Sequence, residues 1–214
     1  MLIKPFIGDL LAVFHRFIIH LVVAAALLWP ALSSATAPDG ATKFIGGLSR
    51  QALQALQADG DLATKEAKVQ DLLAETFDLP LIGRYVLGPA WKKATSEQRD
   101  QYQRLFRQFV LKTYSRRLGG YSGQTFQIVG AKPIGKKDVL VSTKIARPSG
   151  PPVVAGWRVR QKGDTFRILD VMVSGVSMVV TQRSEFRAVV RRQGVNGLIE
   201  TLRVQVSKFS ATGN

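Results

Sequence analysis

The residue types able to do covalent or metal chemistry are few in this chain. It has no Cys, which removes disulfides, thiolate zinc sites, iron–sulfur clusters and a Cys nucleophile. Its only His residues are His15 and His20, so a Ser-His-Asp triad would have to draw on the first twenty residues. Gly120-Tyr121-Ser122-Gly123 is no nucleophile elbow, because it follows a helical pattern and no His stands near to activate Ser122. The carboxylates Asp78, Glu97, Asp170 and Glu185 are far apart in sequence, and such residues mostly serve as caps and surface charges. No phosphate-binding glycine loop, Ca²⁺ loop or zinc-protease helix is present, so no cofactor and no metal is expected. What remains is charge: 30 Lys and Arg against 15 Asp and Glu in 214 residues, a net of +15. That excess points to an anionic partner, either nucleic acid or an anionic lipid surface. The basic doublets Lys92-Lys93, Arg116-Arg117, Lys136-Lys137 and Arg191-Arg192 are too short for a disordered nucleic-acid arm.

The N-terminus bears on that choice. Lys4, His15 and Arg16 lead into the apolar run 17–29, then Pro30 and the small residues Ala31, Ser33, Ser34, Ala35, Thr36 and Ala37. This is the order of a secretory signal peptide, and the apolar run is short for a membrane span. Cleavage is expected after Ala35, with Ala37 as the alternative, leaving residues 36–214 as a single domain. Both His residues leave with the leader. Lys4, Arg16 and Asp9 leave too, so 28 basic and 14 acidic residues remain, a net of +14. Export argues against a nucleic-acid role and places the protein in a bacterial periplasm or outside the cell.

The elements that position these residues fall in two halves. Apolar spacing of three and four predicts a helix over 42–58, carrying Phe44, Ile45, Leu48, Ala52, Leu53 and Leu56. A second helix starts at Asp61 or Thr64, and a short one spans 81–87 between Pro80 and Gly88. Thr95 and Gln98 offer a capping box to a long helix that buries Tyr102, Leu105, Phe106, Phe109, Val110 and Tyr114. The period then changes to strands over 125–130, 138–146, 153–161 and 165–173, an antiparallel meander. One sheet face would present Val139, Val141, Thr143 and Ile145 beside Val153, Ala155, Trp157 and Val159. Helices over 181–193 and from Asn196 onward close the chain, with Gly194 between them. Helices run together and strands run together, so the class is α+β.

Several ordered blocks carry a family resemblance. They are Phe77-Asp78, Arg84-Tyr85-Val86-Leu87-Gly88, Trp91 and Ser96-Glu97-Gln98-Arg99, followed by Phe106, Phe109, Tyr114, Leu118 and Tyr121. A second set is the run from Asp170 to Val179, then Phe186 and Gly194-Val195-Asn196-Gly197-Leu198-Ile199. Together they resemble the MlaC family of periplasmic phospholipid-binding proteins, also called the toluene-tolerance auxiliary family, over about residues 42–205. Trp157 stands where a Tyr looks usual, and Ser174 where an acidic residue is more typical. The resemblance implies helices plus a curved four-stranded antiparallel sheet, of NTF2-like or cystatin-like kind, enclosing an apolar cavity. It implies a non-enzymatic phospholipid carrier working between an outer-membrane lipoprotein complex and an inner-membrane ABC transporter complex. A neighbouring branch is tied to hopanoid biosynthesis, and a hopanoid-associated carrier is the alternative; a basic nucleic-acid-binding domain ranks below both. Leu87, Phe106, Val110, Val141, Trp157, Val173 and Met178 are the candidate cavity lining, with Arg84, Arg147 and Arg158 at the mouth.

Overall fold

A computed structural model of the chain describes residues 37–118 and 123–211. The expected leader and Ser122 lie outside the described residues. Helix α1 (Ala37–Gln57) starts five residues before the sequence pattern suggests and carries its apolar stripe against the sheet. Asp61 caps α2 (Leu62–Thr76), its carboxylate accepting from the Thr64 N–H at 2.8 Å. Asp78 caps α3 (Leu79–Leu87), accepting from Leu81 N–H at 3.2 Å, with Pro80 in the first turn. Gly88, at φ 61, ends α3 and turns the chain into α4 (Pro89–Lys93), a short helix the sequence pattern did not suggest. The capping box at the start of α5 (Ser96–Leu118) forms in both directions: Gln98 N–H donates to Thr95 Oγ1 at 3.2 Å, and Thr95 N–H to Gln98 Oε1 at 3.0 Å.

The strands β1 (Thr125–Ile134), β2 (Asp138–Ala146), β3 (Val153–Lys162), β4 (Thr165–Val173) and β5 (Val176–Ser177) form one antiparallel sheet in sequence order. The strand count therefore exceeds the expected four by the two-residue β5, which pairs back on β4 through Ser174 and Gly175. In register, Val139 faces Val159, Val141 faces Trp157, Thr143 faces Ala155 and Ile145 faces Val153, so one continuous apolar face forms as the alternation implies. Register shifts fall between Ile128 and Gly130 in β1 and between Arg158 and Val159 against β4; bulges of this kind bend strands and raise local twist. The last helical segment, α6 (Met178–Ala211), is divided by the non-helical backbone of Gly194 (φ 69) into two helices, as the sequence suggests. Its start is tied down by Asp170, which accepts from Ser177 Oγ at 2.5 Å and Val179 N–H at 3.1 Å.

Two apolar clusters result. The helical one packs Leu79, Ile82, Val86 and Leu87 of α3 against Tyr102 and Phe106 of α5 and Phe186, Leu198, Ile199 and Leu202 of α6. Tyr102 donates its hydroxyl to the Gly83 carbonyl at 2.9 Å, and burial pushes the Tyr102 phenol far above its usual pKa. The second cluster sets Ala41 and Ile45 of α1 on Val139, Val141, Val159 and Ile168 of the sheet. At the sheet's other surface Asp138, almost fully buried, binds Arg158 and Arg160 at 2.5 and 2.6 Å. Burial opposes the Asp138 charge, yet the hydrogen bonds from Arg160 and Arg158 win and hold its carboxyl below the ordinary carboxylate range.

Candidate functional site

The site lies where α1 parts from the sheet. Near its N-terminus α1 sits tight: Ala41 and Ile45 are buried, Phe44 stacks on Phe166 at 5.9 Å, and Gly40 approaches that ring so closely that a Cβ would fall 2.6 Å from it. One to three turns on, Leu48, Ala52, Leu53 and Leu56 are only half-buried. A cleft of about 430 Å³ opens there. This volume falls in the range of about 300–1,000 Å³ typical of small-molecule pockets.

Its walls follow from helix and strand periodicity. Ile45, Leu48, Ser49, Ala52, Leu53 and Leu56 share the cleft side of α1, at the three- and four-residue steps of one helical stripe. Val69 closes in from α2. Phe126, Ile145, Val153 and Trp157 come from β1, β2 and β3, where cross-strand pairing puts Phe126 opposite Ile145 and Ile145 opposite Val153. The Phe126 and Trp157 rings lie 6.4 Å apart.

The polar groups within this lining are already engaged. Trp157 donates its indole N–H to Thr143 Oγ1 at 2.9 Å, and that hydroxyl donates to the Ala155 carbonyl at 3.2 Å. Ser49 donates to the Gly46 carbonyl of its own helix at 2.9 Å. The interior thus presents carbon surface and no carboxylate. Polarity is concentrated at one end, where α5 finishes, β1 starts and β2 finishes: Arg117, Gln124, Thr125 and Arg147. Arg147 is held by its own loop, donating through Nε and Nη2 to the Pro151 carbonyl at 3.2 and 2.8 Å. The Arg117 guanidinium sits 5.8 Å from the Tyr114 ring centre. Burial raises the Tyr114 phenol pKa, with the Arg117 charge opposing that shift. Such a cleft takes aliphatic chains in its depth and leaves an ionic group at its mouth.

Of the residues singled out from the sequence, Trp157 and Arg147 line this cleft. Val141 is fully buried as the cross-strand neighbour of Trp157, in the α1–sheet cluster. Leu87, Phe106 and Val110 belong to the helical cluster, because their helices face α6 rather than the open part of the sheet face. Val173 is exposed at the end of β4 and Met178 begins α6. Arg84 is exposed on α3, and Arg158 is committed to Asp138. The α1 residues, Val69, Arg117, Gln124, Thr125, Phe126, Ile145 and Val153 are the lining that sequence reasoning did not single out as such. The apolar stripe of the first helix was its signal, but a stripe does not say whether its partner surface touches it. The carboxylates Asp78 and Asp170 serve as helix caps, Asp78 also meeting Lys162 at 2.9 Å, while Glu97 and Glu185 are exposed. Among the described residues no three His, Cys, Asp or Glu gather into a metal-binding group, and no helix is long and apolar enough to cross a membrane.

A solved phospholipid-binding protein from Ralstonia solanacearum, in complex with a phospholipid, shares the fold at a TM-score of 0.69 and 23% identity, covering 78% of this chain and 97% of that one. The intermembrane phospholipid transport system binding protein MlaC of Haemophilus influenzae is 26% identical over 144 residues, 65% of this chain and 67% of that protein. The toluene tolerance protein ttg2D of Pseudomonas putida is 25% identical over 111 residues, and that match spans about half of each chain (52% and 51%). The model of the MlaC protein family matches residues 48–204, from the α1 stripe that walls the cleft through both clusters to the last turns of α6. With that span matched, the chain belongs to the MlaC family.

Proposed function

We propose that this protein is a periplasmic phospholipid carrier that moves lipid between the outer membrane and an inner-membrane ABC transporter complex. The observation that carries the reading is the cleft under α1: carbon-lined within, internally satisfied in its few polar groups, and ionic at one end. Each buried methylene contributes about 0.8 kcal/mol, so a lipid tail crosses water only inside an apolar lining of this kind. A carrier has no bond to break and needs no catalytic group. Membership of the MlaC family and the names of the two curated relatives support the same class of cargo. In this reading residues 1–35 are a signal peptide removed on export, and 36–214 is the working domain.

The test is to express the full chain in bacteria, recover the exported protein, extract it with organic solvent and identify the lipid by mass spectrometry. Near-stoichiometric glycerophospholipid supports the proposal, whereas hopanoid in its place moves the cargo to a different lipid class. Lipid-free protein that binds DNA in a salt-sensitive way refutes it. N-terminal sequencing of the same sample reads the cleavage site, expected after Ala35.

A further inference from the structure

The cleft mouth is electrostatically one-sided. Its charged lining residues are Arg117, from the last turn of α5, and Arg147, just past the end of β2; no Asp or Glu lines the cleft. Neither guanidinium forms an ion pair with a carboxylate among the described residues, unlike Arg116 with Glu66, Arg158 and Arg160 with Asp138, or Arg203 with Glu200. Arg147 is also preorganised. The turn through Pro148, Gly150, Pro151 and Pro152 folds back so that the Pro151 carbonyl takes Nε and Nη2, which fixes the side chain at the cleft lining. Gln124 also lines the cleft, and the next residue, Thr125, pairs with Ala146 beside Arg147.

From this arrangement we infer that Arg117 and Arg147 form a headgroup-phosphate subsite that makes the carrier prefer anionic phospholipids, such as phosphatidylglycerol, over zwitterionic ones. The inference rests on the carrier reading above and adds the cargo's charge class. A guanidinium pairs well with phosphate oxygens, bidentately where geometry allows. In phosphatidylcholine or phosphatidylethanolamine the headgroup cation offsets that phosphate and is repelled by the same pair. In phosphatidylglycerol the charge is uncompensated, while tail contacts in the cleft are identical. The discrimination therefore comes from the mouth alone. Each exposed guanidinium is worth about a fivefold preference, so the pair gives about 25-fold.

The experiment loads lipid-stripped protein from vesicles of equal phosphatidylglycerol and phosphatidylcholine content with matched tails, then quantifies the bound lipid. The wild type is expected to carry mostly phosphatidylglycerol. The double variant Arg117→Gln/Arg147→Gln is expected to lose the enrichment and to carry the two lipids in a ratio close to that of the vesicles. Arg147→Lys, which keeps the charge and loses the fork, is expected to fall between. Wild-type protein loading both lipids in vesicle proportion overturns the inference while leaving the carrier reading intact, as does a double variant that keeps the full enrichment. A wild type that loads neither lipid overturns both. Inorganic phosphate alone, titrated into the stripped protein, is expected to bind negligibly; tight binding reassigns the pair as a free-anion site and overturns the lipid assignment.

Discussion

Filling the cleft should abolish lipid carriage without unfolding the protein, and Ala52→Trp is the substitution that does so most directly. Ala52 lies on the cleft face of α1, between Leu48 and Leu56, and is half-buried, so a larger side chain there extends into open space rather than into a packed neighbour. A Trp covers about 150–250 Å² of apolar surface. Lipid surface displaced to that extent is worth about 4–6 kcal/mol at about 25 cal/mol per Å², the equivalent of about five to eight methylenes. Affinity should therefore fall by about three to four decades if the tail cannot bend around the indole. The indole itself gains burial on the former lining, so the thermal midpoint of the lipid-free protein should stay level or rise. The assay is paired: lipid-to-protein ratio by extraction and mass spectrometry, and thermal melting of the same sample. The contrasting variant is Phe106→Ala, which removes a fully buried ring from the helical cluster and costs about 3–5 kcal/mol of stability while leaving the cleft lining in place. If Ala52→Trp retains full lipid, or if Phe106→Ala loses lipid under conditions where it remains folded, the cargo does not sit under α1.

Three further outcomes follow from the geometry. Asp138 has a native pKa below its unfolded value, so the stability it contributes is present above the ordinary carboxylate range, about pH 4, and is lost as pH falls through its lower native value. Asp138→Asn should cost about 1–2 kcal/mol near neutral pH, since its Arg partners are partly exposed and rehydrate, and should flatten the acid limb of a plot of denaturation midpoint against pH. Gly83→Ala would ordinarily favour a helix by about 1 kcal/mol, but here the Cβ would meet Phe106 and Gln103 at 2.8 Å, so chemical denaturation should show a net loss of about 1–2 kcal/mol. Thr143→Val should leave the Trp157 indole N–H without its acceptor, costing about 1–3 kcal/mol and altering Trp emission while lipid content stays unchanged.

Local rules account for what could be read directly from the chain. The Thr95–Gln98 box, the Asp61 cap and the stop at Gly88 are short-range hydrogen-bond and backbone constraints, and each appears where its residues predict. The inward sheet face follows from period-two alternation, which one bury-able face enforces along the whole ladder. The elements that escaped are those with little local signature: α4 has five residues and β5 has two. The cleft escaped for a different reason. Phe106 and Trp157 are both large aromatics on apolar faces, yet one is enclosed by Tyr102 and Phe186 and the other borders open space. The difference is set by where α1 is pinned, at Gly40, Ala41 and Phe44, and by how the sheet bends beyond that point.

This division of labour between clusters bears on how a carrier releases what it holds. The helical cluster, closed by Tyr102, Phe106 and Phe186, contributes no residue to the cleft lining. The α1 cluster is anchored at one end and open at the other, so emptying it exposes part of one helical stripe and part of the sheet face rather than the protein's main core. A tail that leaves a bilayer for the cleft exchanges one apolar surrounding for another, and the two transfer terms of about 0.8 kcal/mol per methylene nearly cancel. In the proposed carrier the cleft would therefore select and shield its cargo without supplying direction. Direction has to come from whatever gives or takes the lipid at each membrane, and a difference of only a few kcal/mol between donor and acceptor is enough to drive the transfer by orders of magnitude.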